Sequence, residues 1–590
     1  MKYTTGYAND FIRDIRESGD KYIVDRSIRP VNTVKEMLET SVLAYGDNTA
    51  FWQKFKGDEE YRQISYKQVL EDVNALGTAL IAAGKKGEAV AVIGENSYFW
   101  AISYLAVICG AGVVVPIDKE LGENDIMGCI ENSGASCVFF SPKFEKMFGA
   151  AGGEKELMLV EMTEGNPGEG MTSITSLIEE GRRLIEDGST EYSDIEIDVD
   201  EMAVLLFTSG TTGASKGVML SNRNICCNLM SAPHYLEVKE TDLFFSVLPI
   251  HHTYECTCGF LMPLYRGASI GYCQGLKYLQ KNLKELKPTI FLGVPLIFEK
   301  LYGAIWKNIR KQGKEKAVRG LLAASKVLSF TGRNPLGFLL KDITAVFGGR
   351  LRVIISGGAA IDPQILEFFN DLGFLAIQGY GLTECSPMAA LTPGKKKYIK
   401  NSSVGHVLPM DEVKIEDAGE DGIGEICIRG DNVMLGYYEN PEETASTIVD
   451  GWFHTGDLGY VDDDGYIYIT GRKKNVIITP NGKNVYPEEL EYLVSISDLV
   501  EECYVWPVND ENGQNKQIAV TVKPDKEELD RRLGTGHSVS DVEKLIAHEI
   551  DIINETIPSF KKISKVVVRF REFDKTTSHK IKRYEEDNRN

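Results

Sequence analysis

Positive charge is what this sequence is short of. Asp and Glu number 86 against 65 Lys and Arg, a formal net charge of -21. A general nucleic-acid binder is excluded on that ground, because the average field repels phosphate. Any anionic ligand must be met by local positive groups. The 11 cysteines include no CxxC pair. Cys256 and Cys258 form only a CxC, and Cys226 and Cys227 are adjacent. That spacing argues against a disulfide framework or a zinc site and for buried thiols in a reducing compartment. The N-terminus, "MKYTTGYANDFIRDIRESGD", carries charge throughout and has no apolar signal core, so the expectation is a cytoplasmic protein. No internal repeat is visible. "DDDG" at 462–465 lacks the DxDxDG spacing and the later Glu of a calcium loop, and it reads as a turn.

One long uncharged run is present. "YFWAISYLAVICGAGVVVPI", Tyr98 to Ile117, is long enough to span a bilayer. Gly110 and Gly112 are placed to end a helix, and Val113–Val115 before Pro116 reads as a buried strand. The expectation is helix, turn, strand. With 590 residues the chain is too long for one core. Up to about residue 400, β-branched runs alternate with helical patterns, as in "GEAVAVIG", "MAVLLFTSG", "PTIFLGVP" and "LRVIISGG". Such alternation predicts parallel sheets with helices on both faces. Beyond it, "DEVKIEDAGEDGIGEICIRG" and "GYVDDDGYIYIT" predict short strands and tight turns. Pro487, Glu488 and Glu489 mark a helix start in a further α/β unit.

"LLFTSGTTGASKGVML", Leu205 to Leu220, is a loop able to wrap backbone N–H groups around phosphate. It is not a P-loop. Counting from Gly210, Ser215 holds the second glycine position and Gly217 follows Lys216 where Ser or Thr should be. The chemistry is still that of a phosphate site. Thr208, Ser209, Thr211 and Thr212 offer hydroxyls, Gly210 and Gly213 allow close approach, and Lys216 supplies charge. The plain alternative is a Ser/Thr/Gly surface loop.

Other segments decide between them. "FTSGTTGASKG" (207–217), "LPIHHTYE" (248–255), "SGGAAI" (356–361), "QGYGLTE" (378–384), "GWFHTGDLG" (451–459), "YITGRKKNVII" (468–478) and "TTSHKIKR" (576–583) occur in that order. Together they resemble the adenylate-forming (AMP-binding) superfamily over nearly the whole chain. Within it the chain most resembles long-chain fatty acyl-CoA synthetases. "TVKEMLETSVLAYGDNTAF", Glu255 after His252, and the long segment after "VPLIFEKLY" carry that likeness. Two residues depart from the pattern: Leu296, where that group usually has Arg, and His579, where a small or apolar residue usually precedes the lysine.

The resemblance implies an α/β fold. A large N-terminal domain, 1–473, would hold two doubly wound α/β subdomains and a small β-rich one. A small mobile α+β C-terminal domain, 474–590, would follow. The implied reaction is ATP- and magnesium-dependent conversion of a fatty acid to acyl-AMP, then transfer to coenzyme A. Thr208, Ser209, Gly210, Thr211, Thr212, Gly213 and Lys216 would hold phosphate, and Thr383 and Glu384 would bind phosphate and magnesium, with Thr208 as a further metal ligand. Gly358 and Ala359 would line the adenine pocket, with Tyr380, between Gly379 and Gly381, stacking on the base. Asp457 would accept from the ribose hydroxyls, and Arg472 would contact ribose or phosphate. His252 would approach the acyl carboxylate. Metal binding by the His251–His252 pair is not expected, because no third ligand follows at usable spacing. Lys580 would bridge carboxylate and α-phosphate, Lys474 would be the hinge, and Gly482 and Lys483 would approach pantetheine.

Alternatives keep the adenylation and change the acid (aryl or bile acid) or the acceptor (a carrier-protein pantetheine). A non-catalytic nucleotide-binding protein is a third reading. The segment 306–333 holds eight basic residues against Glu315. It reads either as a solvated helix over the acyl pocket or as weak peripheral contact with the inner face of a membrane.

Overall fold

The computed structural model describes residues 6–151, 157–208, 216–329, 341–479, 483–509, 515–575, 581–583 and 585–589. The chain divides into two compact units. One comprises Met1–Val413, Ile428–Phe453 and Gly465–Ile467; the other comprises Lys414–Cys427, His454–Asp464 and Tyr468–Asn590.

The first unit is built on two large sheets. An eight-stranded sheet runs in the order Gly436–Tyr437, Lys216–Ser221, Met202–Thr208, Gly112–Ile117, Glu88–Ile93, Cys137–Phe140, Met158–Glu161, Thr172–Ser173. From Met202–Thr208 to Thr172–Ser173 every pairing is parallel. A nine-stranded sheet has a parallel centre formed by Ser269–Tyr272, Leu243–Ser246, Ile290–Gly293, Val353–Ser356 and Leu375–Gly381. These central strands are short apolar runs such as "LFFS", "IFLG" and "VIIS", buried along their whole length. A strand covered on both faces needs no polar alternation. The fold is therefore the α/β class expected.

Tyr98–Ile117 does not cross a membrane. It forms a helix over Tyr98–Ala106, a turn over Val107–Ala111 and a strand over Gly112–Ile117. Both glycines are required. Gly110 has φ 148°, and a Cβ on Gly112 would lie 2.0 Å from the Glu88 carbonyl oxygen. Among the described residues, no helix is long and apolar enough to cross a membrane.

Up to residue 329 the basic segment falls on the end of the helix Pro295–Lys311 and on the helix Glu315–Ser329, and Arg333 lies outside the described residues. Trp306, Ile309, Val318 and Leu322 face the core, and Leu321 packs against it. Arg310 and Arg319 both pair with Glu315. Leu321 and Leu322 therefore serve the core, although in the sequence they could as well form an outer apolar face.

In the second unit, Val500–Asn509 pairs antiparallel with Asn515–Pro524, which pairs parallel with Ile563–Val568. The helix Val539–Thr556 starts at a capping box of Ser538 and Asp541. Val542, Ile546 and Ile550, four residues apart, are buried with Val505, Val520 and Leu490. Each such side chain contributes about 2 kcal/mol by burial. Pro487 opens the helix Pro487–Ser495, with Glu488 and Glu489 in its first turn, as the sequence predicts. "DDDG" is a turn, closed by the Asp464 N–H donating to Asp462 Oδ1 at 3.0 Å.

Candidate active site

The phosphate-loop segment is the connection of a hairpin. Met202–Thr208 pairs antiparallel with Lys216–Ser221, with Thr208 opposite Lys216. The Thr208 hydroxyl donates to the Lys216 carbonyl at 3.3 Å. Ser209, Gly210, Thr211, Thr212 and Gly213 lie outside the described residues, as do Gly482 and Lys580.

Two remote segments meet beside this hairpin. The Lys216 ammonium sits 5.1 Å from the centre of the Tyr437 ring and pairs with Glu443. The Tyr437 hydroxyl donates to Glu384 Oε1 at 3.0 Å. Lys216 and Glu384, both expected from the sequence to act on phosphate, are thus joined through one tyrosine ring. Burial, and then the Glu384 carboxylate, push the Tyr437 phenol well above its usual range, so it remains a donor. The Met434 N–H also donates to the Glu384 carbonyl at 2.8 Å, fixing the 3-10 turn Thr383–Cys385. Glu384 and Thr208 offer a carboxylate and a hydroxyl, hard oxygen donors of the kind magnesium takes. Tyr437 and Glu443 carry no signal in "LGYYENPEE" that separates them from loop residues.

The strand Leu375–Gly381 carries Gly379, Tyr380 and Gly381. It pairs antiparallel with Met388–Leu391, with an irregularity between Tyr380 and Gly381. A Cβ on Gly381 would stand 2.0 Å from the Pro387 carbonyl oxygen, so only glycine fits. Tyr380 is buried, whereas Gly358 and Ala359 are exposed just past the strand Val353–Ser356.

His252 follows the strand Leu243–Ser246 and directly precedes the helical turns of Tyr254–Leu261. Asn96, missed in the sequence, holds this connection in place. Its amide donates to Ser246 Oγ at 2.9 Å and to the Leu248 carbonyl at 2.7 Å. Its carbonyl oxygen accepts from the Ile250 N–H at 3.1 Å. Asn96 lies just past the C-terminal end of the strand Glu88–Ile93. That is where open α/β sheets bind ligands, so its position was a usable signal.

In the second unit, Arg472 Nε donates to Asp457 Oδ1 at 2.6 Å. Asp457 is buried, and its N–H donates to Thr455 Oγ1 at 3.0 Å. Lys474 sits in the turn Lys473–Asn475. Burial, then the charges of Arg472 and Arg583, lower its pKa from the usual lysine value. Lys483 closes a small loop: its N–H donates to Thr479 Oγ1, and its carbonyl accepts from the Thr479 N–H.

The first unit is thus an α/β fold whose hairpin Met202–Ser221 brings Lys216 to the Tyr437 ring and, through it, to Glu384. The AMP-binding enzyme family matches residues 38–438, and the chain belongs to that family. Long-chain-fatty-acid–CoA ligase 1 of Homo sapiens is 30% identical over 523 residues, covering 80% of this chain and 71% of that protein. Long chain acyl-CoA synthetase 1 of Arabidopsis thaliana is 29% identical over 545 residues, covering 85% of this chain and 80% of that protein. In fold, the anthranilate CoA ligase AuaEII, solved in complex with anthranoyl-AMP, superposes with a TM-score of 0.73 at 21% identity, covering 94% of this chain and 96% of that one.

Proposed function

We propose that this protein activates a long-chain fatty acid with ATP to acyl-AMP and pyrophosphate, then transfers the acyl group to coenzyme A. The observation that carries the reading is the convergence of Lys216 and Glu384 on Tyr437 beside the phosphate hairpin. Curated relatives named as long-chain acyl-CoA synthetases support the choice of acid.

In the first half-reaction a carboxylate oxygen bonds to the α-phosphorus and the bond to the β-phosphate breaks. Two unit charges about 4 Å apart repel by about 4 kcal/mol at an effective dielectric of 20. Lys216 and the backbone N–H groups of the 209–213 segment offset that repulsion and hold the β- and γ-phosphates. Glu384 with Thr208 would hold the magnesium ion, whose charge eases departure of pyrophosphate. Thr383 binds phosphate, Tyr380 stacks on adenine in a pocket lined by Gly358 and Ala359, and Asp457 and Arg472 hold the ribose. His252 orients the acyl carboxylate, and Lys580 bridges it to the α-phosphate during adenylation only. In the second half-reaction the thiol sulfur attacks the acyl carbon and AMP leaves. Residues 474–590 form the domain that turns at Lys474 between the two steps, and Gly482 and Lys483 approach pantetheine. The proposed location is the cytoplasm, with the basic residues of 306–333 the surface through which any weak contact with the inner face of a membrane would be made.

The test is a screen of acids across chain lengths, with aryl and bile acids included, following pyrophosphate release with coenzyme A present. A maximum kcat/KM among long fatty acids is expected. A maximum among aryl acids, or release that coenzyme A does not complete to a thioester, overturns the assignment.

A further inference from the structure

The sequence places no third ligand after the His251–His252 pair, but the fold supplies one. Asp118 immediately follows the strand Gly112–Ile117 of the eight-stranded sheet. The histidines follow Leu243–Ser246 of the nine-stranded sheet. One ligand atom from each of Asp118, His251 and His252 lies within 4.8 Å of the others.

The key distance is between His251 Nε2 and Asp118 Oδ1, at 3.5 Å. That is too long for a hydrogen bond. Two donors each about 2.1 Å from a tetrahedral ion stand about 3.4 Å apart, so the spacing matches one edge of a zinc-type site. A second observation is independent of spacing. His251 is 4% exposed, and its Nε2 is buried with no hydrogen-bond partner. Leaving a buried polar atom without a partner is unfavourable, and a bound ion would remove that penalty. Burial, then the neighbouring His252, keeps the His251 imidazole neutral, the form that ligates. The second ring lies against the first, with centroids 4.1 Å apart. Asp118 Oδ1 is itself oriented by the Glu120 N–H at 2.9 Å, and the adjacent Lys119 is drawn to Glu120. The other mixed cluster, Glu416, Cys427 and His454, differs. Its members satisfy one another and Glu425 by hydrogen bonds and ion pairs.

We propose that Asp118, His251 and His252 bind one divalent transition-metal ion of the zinc or cobalt class, leaving a fourth position to water. Two imidazoles and a carboxylate form a borderline donor set that selects such ions over magnesium. Resting on the role given above to His252, occupancy inhibits adenylation, because the ion holds the ring that orients the acyl carboxylate.

The experiment uses full-length protein stripped with chelator and titrated with cobalt(II) in the absence of nucleotide. A visible d–d spectrum saturating at one equivalent is expected. Asp118→Asn should weaken cobalt binding at least tenfold, and His251→Gln should abolish the spectrum. Thermal unfolding of both variants checks that they are folded, and Asp118→Asn, at the edge of the cluster, serves if the buried histidine variant is not. No spectrum at one equivalent, or an unchanged titration in a folded variant, overturns the site. Ligase turnover at buffered free zinc with excess magnesium-ATP then reads the second claim. Inhibition that Asp118→Asn relieves supports it; binding without inhibition overturns the inhibitory claim alone. Because cobalt binding is read without turnover, failure of the site is distinct from failure of the ligase assignment.

Discussion

Glu255 should make this protein less stable as pH rises from 5 to 7. The carboxyl is 1% exposed, in the helical turns of Tyr254–Leu261. Oε1 accepts from the Ser246 hydroxyl, and Oε2 is buried without a partner. Burial, opposed only in part by the Ser246 hydrogen bond, pushes its pKa from the ordinary 4.5 up to about 8. Between those values the folded chain keeps a proton that the unfolded chain releases. Stability therefore falls as pH rises from about 4.5 to about 8, and above that the folded carboxyl ionises as well. Linkage over this window gives a loss of about 2.5 kcal/mol between pH 5 and pH 7, relative to a side chain that does not titrate. Glu255→Gln is that comparison, with nearly the same shape. Urea unfolding of both proteins at pH 5, 6 and 7, followed by fluorescence, reads it. The Gln variant should gain about 2.5 kcal/mol on the wild type across the series. Infrared difference spectra at pH 7 should show the carbonyl stretch of a protonated carboxyl in the wild type alone. Parallel stability profiles, with no protonated-carboxyl band, would refute the reasoning.

Asn96→Ala removes three hydrogen bonds to the connection carrying His252; it should cost about 1–3 kcal/mol of stability and lower kcat/KM for the acid while leaving KM for ATP near its original value, in steady-state assays. Gly381→Ala forces a Cβ onto the Pro387 carbonyl oxygen; overpacking of about 1–3 kcal/mol should shift the strand that carries Tyr380 and cut ATP–pyrophosphate exchange at least tenfold. Lys580→Ala should abolish acyl-AMP formation yet leave thioester formation from supplied acyl-AMP largely intact; equal loss of both steps would count against its assigned role. Lys474→Pro fixes φ and removes a donor; single-turnover assays should find the coenzyme A step slowed far more than adenylation.

Properties set by neighbours along the chain were legible in the sequence. Short apolar runs between helical patterns announced parallel strands, and the count from Gly210 excluded a P-loop. Pro487 with Glu488 and Glu489 marked a helix start, and Gly110 with Gly112 turned an apparent membrane span into helix, turn and strand. Such features depend on backbone conformation and on periodicity over a few residues, which local sequence controls. The seven motifs, in that order, added the family.

What only the tertiary structure decided is which side chains meet. Tyr437 is one more tyrosine until the fold lays its ring against Lys216 and points its hydroxyl at Glu384. Leu322 could face a membrane or the core, and its packing against neighbouring helices decides for the core. Glu255 becomes an acid retained in protonated form only because the surrounding strands and helices exclude water from it. Asp118 and His251 follow strands of different sheets, and no spacing rule links them. Desolvation and contact depend on three-dimensional proximity, and proximity across more than a hundred residues is fixed by strand order, not by any local run of sequence.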